Sequence, residues 1–211
     1  MELSTWLAYL IATLIICVSP GPGALSAMSA GMKYGFSRGM WNLAGLQAAI
    51  AINVLAIWLG LGALLMASTT AFEVMKYLGA AYLVYLGIQK FREPPVAFAQ
   101  IAAQTHFNDK TPWGIFKQGL LVKLTNPKGL LFLAAILPQF VDPSRPTGIQ
   151  YAILGGTMIV CDVLVMIGYT ALASTILRFL KDPNHIRWTN RGVGSLFVAA
   201  GGALAVFKRN A

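Results

Sequence analysis

Ser19-Pro20-Gly21-Pro22-Gly23 interrupts an apolar run that begins at Leu3, reaches Val18 and resumes at Ala24. Proline has no N–H to give and glycine leaves the backbone unrestrained, so no helix crosses this stretch unbroken. A second interruption, Thr125-Asn126-Pro127-Lys128-Gly129, has apolar chain behind it from Leu130 to Leu137. Pro20 and Pro127 are 107 residues apart in a chain of 211. Within hydrocarbon, a break strands N–H and C=O groups that lipid cannot satisfy. Such backbone persists only where it is buried in protein or lines a wet cavity. Breaks at matching positions of two halves point to a transporter site.

Composition agrees with a membrane protein. The chain is 57% hydrophobic and only 11% charged, too few charges to cover a soluble globule of this size. The net charge of +9 does not point to nucleic acid, because the basic residues sit at the ends of apolar runs rather than on an aromatic-interleaved polar face. That placement is what membrane orientation requires. Cys17 and Cys161 both lie inside apolar segments, where cysteine behaves as a small hydrophobe, so neither a disulfide nor a metal site is implied. Glu2 is the only early charge, which argues against a cleaved signal peptide and keeps the first apolar run as a helix.

Apolar windows long enough to span a bilayer predict an all-α membrane protein with six transmembrane helices. They cover residues 3–29 (broken), 40–66, 72–90, 113–140 (broken), 149–177 and 191–207. The loop over 91–112, with Pro94-Pro95, divides a single transporter domain (1–211) into halves of about 1–105 and 106–211. The halves share more than the breaks. Asn53-Val54-Leu55 answers Asp162-Val163-Leu164 at an offset of 109, and Gly79, Tyr82, Gly87 answer Gly194, Phe197, Gly202 at 115. With three helices in each half, the second repeat is inverted relative to the first. One side of the membrane collects Lys33, Arg38, Lys90, Arg92, Lys110, Lys117, Arg178, Lys181, Arg187 and Arg191; the other has Lys76, Arg145, Lys208 and Arg209. The richer side is expected to be cytoplasmic and both termini to face outward. Lys123 and Lys128 lie too close to the second break to count either way.

Asp162 stands out, flanked by Ile159-Val160-Cys161 and Val163-Leu164-Val165-Met166. An ionisable group at bilayer depth is expensive and usually faces a cavity, a partner or a proton path; interhelical packing is its alternative role. Gln47 and Asn53 on the second helix suit either interhelical hydrogen bonding or substrate. At the first break (Pro20, Gly21, Pro22, Gly23) a new helix starting near Ala24 turns free N–H groups and a positive dipole end inward, which suits a carboxylate. Carbonyls freed before that break suit an ammonium group. At the second break (Asn126, Pro127, Lys128), Lys128 can hold a carboxylate, pair with Asp162 or snorkel to the interface. His106 and His185 fall in expected cytoplasmic loops without metal-ligand spacing. Ser19 and Ser26 lack an intramembrane histidine as base, and no phosphate loop or HExxH is present, so neither an enzyme nor an ATP-driven pump is indicated. No cofactor is implied. A channel on the same broken helices and a substrate-free membrane scaffold are the rival readings.

At these residues the chain resembles the lysine-exporter superfamily, and within it the homoserine/homoserine lactone efflux branch. The resemblance runs end to end. Its first-half residues are Ser19-Pro20-Gly21-Pro22-Gly23-Ala24, Ala44-Gly45-Leu46-Gln47, Gly60-Leu61-Gly62, Phe72-Glu73-Val74, Gly79-Ala80-Ala81-Tyr82-Leu83 and Leu86-Gly87-Ile88-Gln89. In the second half they are Leu124-Thr125-Asn126-Pro127-Lys128, Pro138-Gln139-Phe140, and Asp162 with Val165-Met166-Ile167-Gly168-Tyr169. The resemblance implies a multi-pass exporter of small amino acids or their lactones in a bacterial inner membrane, with periplasmic termini, energised by proton exchange. The partners expected are the amino-acid substrate, protons and lipid, with no nucleic acid; the oligomeric state stays open, a homo-oligomer included. Many relatives carry an acidic residue in the second helix where this chain has Ile50, which leaves Asp162 as the one deep carboxylate for coupling.

Overall fold

The computed structural model describes residues 1–62, 69–93, 111–142, 144–173, 175–176 and 182–206, with some side chains inside these ranges excepted. Among the described residues the structure is helical, with no strand. The helices are α1 (Leu3–Val18), α2 (Pro22–Ile57), α3 (Thr69–Arg92), α4 (Pro112–Leu124), α5 (Pro127–Ile136), α6 (Thr147–Ala171) and α7 (Pro183–Val206). A π turn at Trp58–Gly62 continues α2, and a 3₁₀ turn at Leu137–Phe140 continues α5.

Proline sets the start of four of these helices. Pro22, Pro112, Pro127 and Pro183 each open one, a position where the missing N–H costs nothing and the fixed φ suits the first turn. The two breaks end differently. At the second, Asn126 Oδ1 accepts from the Gly129 N–H at 3.3 Å and caps α5, and α4 and the helix beyond it meet at 59°. At the first, Gly21 precedes α2 with no side-chain cap, so α2 opens with N–H groups that have no helical acceptor behind them.

Gly35 divides α2 into two arms, 22–34 and 36–57. Its φ of 79° and ψ of 168° lie in a region closed to residues with a β-carbon. A buried pair ties the arms across this turn: Asn42 Nδ2 donates to Ser26 Oγ at 3.0 Å. The second helix therefore begins directly after Gly35, earlier than the expected residue 40. The first runs on to residue 34 rather than 29.

Glycines set the closest helix contacts. A β-carbon on Gly45 would run into the Phe116 carbonyl, and one on Gly119 into the Asn42 carbonyl, so the second arm of α2 and α4 cross antiparallel with their backbones touching. α3 and α7 do the same: a β-carbon on Gly87 would lie 2.7 Å from the Gly194 carbonyl, and one on Gly201 would lie 2.8 Å from the Ala80 carbonyl. Gly31 backs onto Thr170 and brings the first arm of α2 against α6. α1 lies along α6, with Trp6 Nε1 donating to Thr157 Oγ1 at 3.0 Å and the Tyr9 hydroxyl to the Leu154 carbonyl at 3.1 Å.

By length and hydropathy, Pro22–Gly60 and Thr147–Ala171 each suffice to cross a bilayer, and Pro112–Leu124 with Gly129–Phe140 makes a third as one bent span. α7 starts at Pro183, well before the expected 191. His185 is consequently in a helix and not in a loop; Asp182 begins that helix by accepting from the Asn184 N–H at 2.8 Å. α6 is interrupted at Leu172, which leaves helical geometry, and helical residues resume at 173 and 175–176, within the expected 149–177. His106 and most of the 91–112 loop lie outside the described residues.

Candidate functional site

Asp162 is 1% exposed, on the buried face of α6 with Leu154, Met158, Cys161 and Met166. Two donors meet its carboxylate. Gln47 Nε2 donates to Oδ2 at 2.7 Å from the second arm of α2, and Lys123 Nζ donates to Oδ1 at 3.0 Å from the last turn of α4. Lys123 and Asp162 form a buried ion pair, with side chains 15% and 2% exposed. In a medium of low dielectric, Coulomb attraction offsets the desolvation of two charges only when the geometry is good and the remaining oxygens are hydrogen-bonded. Here Lys123 holds one carboxylate oxygen and Gln47 the other.

The first break closes against the same pair. A β-carbon on Gly23 would lie 3.8 Å from Lys123 Nζ and 3.6 Å from the Leu46 side chain. Gly23 is the second residue of α2, so the positive end of that helix and the Lys123 ammonium share one corner. Cys17, at the end of α1, is buried within reach of Asp162. Residues from four separate stretches thus converge at one point: both sides of the first break, the second helix, the turn before the second break and the middle of α6.

One polar atom in the cluster is unspent. Gln47 Oε1 is buried without a hydrogen-bond partner among the described residues, at a cost of about 1–3 kcal/mol for an acceptor cut off from water. Its amide nitrogen is committed to Asp162, so the oxygen is an acceptor next to a carboxylate. The cluster can receive a cation at its acceptor end and an anion at Lys123 and Gly23.

The residues expected from sequence divide accordingly. Gly23, Gln47 and Asp162 come together. Pro20, Gly21 and Pro22 shape the break beside them. Asn53 is buried on the same arm of α2, but the hydrogen bond from that arm to Asp162 comes from Gln47. Asn126 and Pro127 serve as cap and first residue of α5. The side chain of Lys128 lies outside the described residues; among those described, the lysine that pairs with Asp162 is Lys123. The carbonyl of Val18, freed by the first break, accepts from the Tyr169 hydroxyl at 2.8 Å and so already has a donor. Lys123 was legible by the criterion that singled out Asp162, a charge inside the apolar run Leu120-Leu121-Val122-Lys123-Leu124.

A groove of about 370 Å³ lies elsewhere, between α1, α3 and α7, lined by apolar residues such as Ile11, Leu83 and Leu196 together with Gln139. None of its lining residues is charged.

A family model described as LysE type translocator matches residues 14–207. The chain belongs to that family. Among the relatives of this translocator is a homoserine/homoserine lactone efflux protein of Salmonella typhimurium, 40% identical over 97% of this chain and 98% of the relative. An uncharacterized membrane protein of Vibrio cholerae is 38% identical over 99% of this chain and the whole of that protein. A leucine efflux protein of an Enterobacter strain is 29% identical over 96% of this chain and 95% of its own length. No solved structure matches. The translocator match contains both breaks, Gln47, Lys123 and Asp162, so every member of the cluster lies within the family region.

Proposed function

We propose that the chain exports small amino acids of the homoserine type across a bacterial inner membrane, in exchange for protons taken up at Asp162. The observation that carries this is the meeting of Lys123 and Gln47 at Asp162, with Gly23 beside Lys123, a charged and otherwise closed site built where a broken helix enters. Transport direction rests on the relatives, whose names specify efflux of homoserine, its lactone or leucine. Proton exchange rests on chemistry: whenever Lys123 is not paired with it, the buried Asp162 carboxylate has one charge to neutralise, and a proton or a substrate ammonium can do so in turn.

In this reading the chain spans the bilayer six times as two inverted three-helix repeats, with both termini periplasmic. Helix contacts support it. Gly45 meets the Phe116 carbonyl, and Tyr9 donates to the Leu154 carbonyl; Gly45 and Leu154 differ by the 109 of the second-helix match, and Tyr9 and Phe116 by the 107 between the breaks. Contact between the first and second helices of opposite halves thus recurs at equivalent positions.

The test is a panel of amino acids presented to cells that overproduce the protein. Growth tolerance and a lower internal pool for homoserine or threonine, and not for the whole panel, are expected. A channel would equilibrate the same solutes and never drive them against a gradient; equal tolerance throughout, with the protein present in the membrane, would exclude export.

A further inference from the structure

We infer that the Lys123–Asp162 ion pair is an internal stand-in for the substrate, and that Lys123 makes the site select zwitterions over cations. This rests on the proposed amino-acid export and says how the amino acid is held. The pair already presents, at 3.0 Å, an ammonium on a carboxylate. A zwitterionic amino acid brings both groups. When the pair opens, the substrate ammonium takes the place of Lys123 at Asp162, with the buried, unpartnered Gln47 Oε1 as a second acceptor. The substrate carboxylate takes the place of Asp162 at Lys123, beside the start of α2, where Gly23 lies within 3.8 Å of Nζ.

Charge balance makes this selective. Asp162 and Lys123 sum to zero, and a zwitterion added between them leaves the buried site at zero. A ligand with an ammonium but no carboxylate leaves it with one uncompensated positive charge at depth, which is costly. Lys123 imposes that cost. Without Lys123 the site holds a net negative charge and suits the cation instead. Gln47 interacts similarly with both ligands because it faces the ammonium end. Lys123 is therefore assigned as the carboxylate-binding, specificity-determining residue.

Homoserine and homoserine lactone form a matched pair of probes, since the lactone keeps the ammonium and lacks the carboxylate. Binding of each to purified full-length protein in lipid nanodiscs is measured by calorimetry at about pH 6, where an α-amino group is protonated. The native protein is expected to bind homoserine at least about ten-fold more tightly than the lactone. Lys123→Gln is expected to reverse the order, weakening homoserine by about ten-fold or more while leaving the lactone unchanged or tighter. Lys123→Arg, which keeps the charge, retains the native order. Parallel loss of both ligands in a monodisperse Lys123→Gln protein, or unaltered homoserine binding, overturns the inference while leaving export intact. If that variant does not fold, competition on the native protein decides. N-acetylhomoserine, which lacks the ammonium, and the lactone must each displace labelled homoserine far less well than homoserine itself; equal displacement by either overturns it. Native protein that neither binds homoserine nor exports it in cells refutes the proposed function, and the inference with it.

Discussion

Lys123, the last charged residue before the second break, places its ammonium 3.8 Å from the point where a β-carbon on Gly23 would stand, directly after the first break. The two interruptions of the chain, a hundred residues apart in sequence, are thereby neighbours in space. Asp162 joins them. A pairing of this kind places the first break and the turn before the second beside one buried ion pair inside the protein.

Asp162→Asn tests the coupling role. The amide keeps the size of the carboxylate and a hydrogen-bond acceptor for Gln47, but it cannot ionise and it leaves Lys123 without a counter-charge. In proteoliposomes, proton-driven efflux is expected to fall by roughly ten-fold or more, in line with the cost of removing one partner of a buried charge pair. Substrate-for-substrate counterflow is expected to outlast it. Undiminished proton-driven efflux would assign Asp162 to packing alone.

Gly119→Ala tests the crossing of α4 with α2. Its new methyl would strike the Asn42 carbonyl, an atom of a helix backbone that cannot step aside. A loss of about 1–3 kcal/mol is expected from overpacking, read as a lower midpoint in thermal unfolding of the detergent-purified protein. Gly156→Ala, where a β-carbon meets nothing within 4 Å, is the control and should be neutral or slightly stabilising.

Replacing Pro20 and Pro22 together by alanine should allow α1 and the first arm of α2 to run as one helix. The N–H groups that open α2 would then bond to carbonyls of the preceding turn and be lost to the site. Membrane insertion, followed by immunoblot of membrane fractions, is expected to persist while efflux falls several-fold. Full efflux from this variant would reduce the first break to a kink.

Fusions at Ala211 test the orientation. With ten lysines and arginines on one side against four on the other, the C-terminus is expected in the periplasm. Alkaline phosphatase fused there should be active and a fluorescent protein that matures only in the cytoplasm dark. The opposite pair of results would invert the whole topology.

Much of the helix placement was legible from the apolar windows, because both ends of α3 and the start of α6 lie within a few residues of where hydropathy changes. The exceptions share a cause. α7 starts at Pro183, and its first turns carry Asn184, His185, Arg187 and Arg191, so an apolar window cannot see them. The Asp182-Pro183 start signal was the readable clue. Gly35 was invisible for a different reason: a glycine in a membrane helix is ordinary, and only its backbone angles distinguish a turn from a packing site. In the cluster, Asp162 and Gln47 were readable as polar residues inside apolar sequence. Their meeting was not, since Gln47 and Asp162 are 115 residues apart and single-chain patterns carry no distances. Lys123 was passed over because it stands so near the second break that it counted for neither side of the membrane.

The backbone contact of Gly45 and Gly119 has a consequence for motion. Gln47 lies two residues beyond one of these glycines and Lys123 four beyond the other, so both donors ride on a single welded two-helix block. Asp162 rides on α6, outside it. A displacement of α6 relative to that block would therefore act on both donor contacts to the carboxylate together, rather than on one alone.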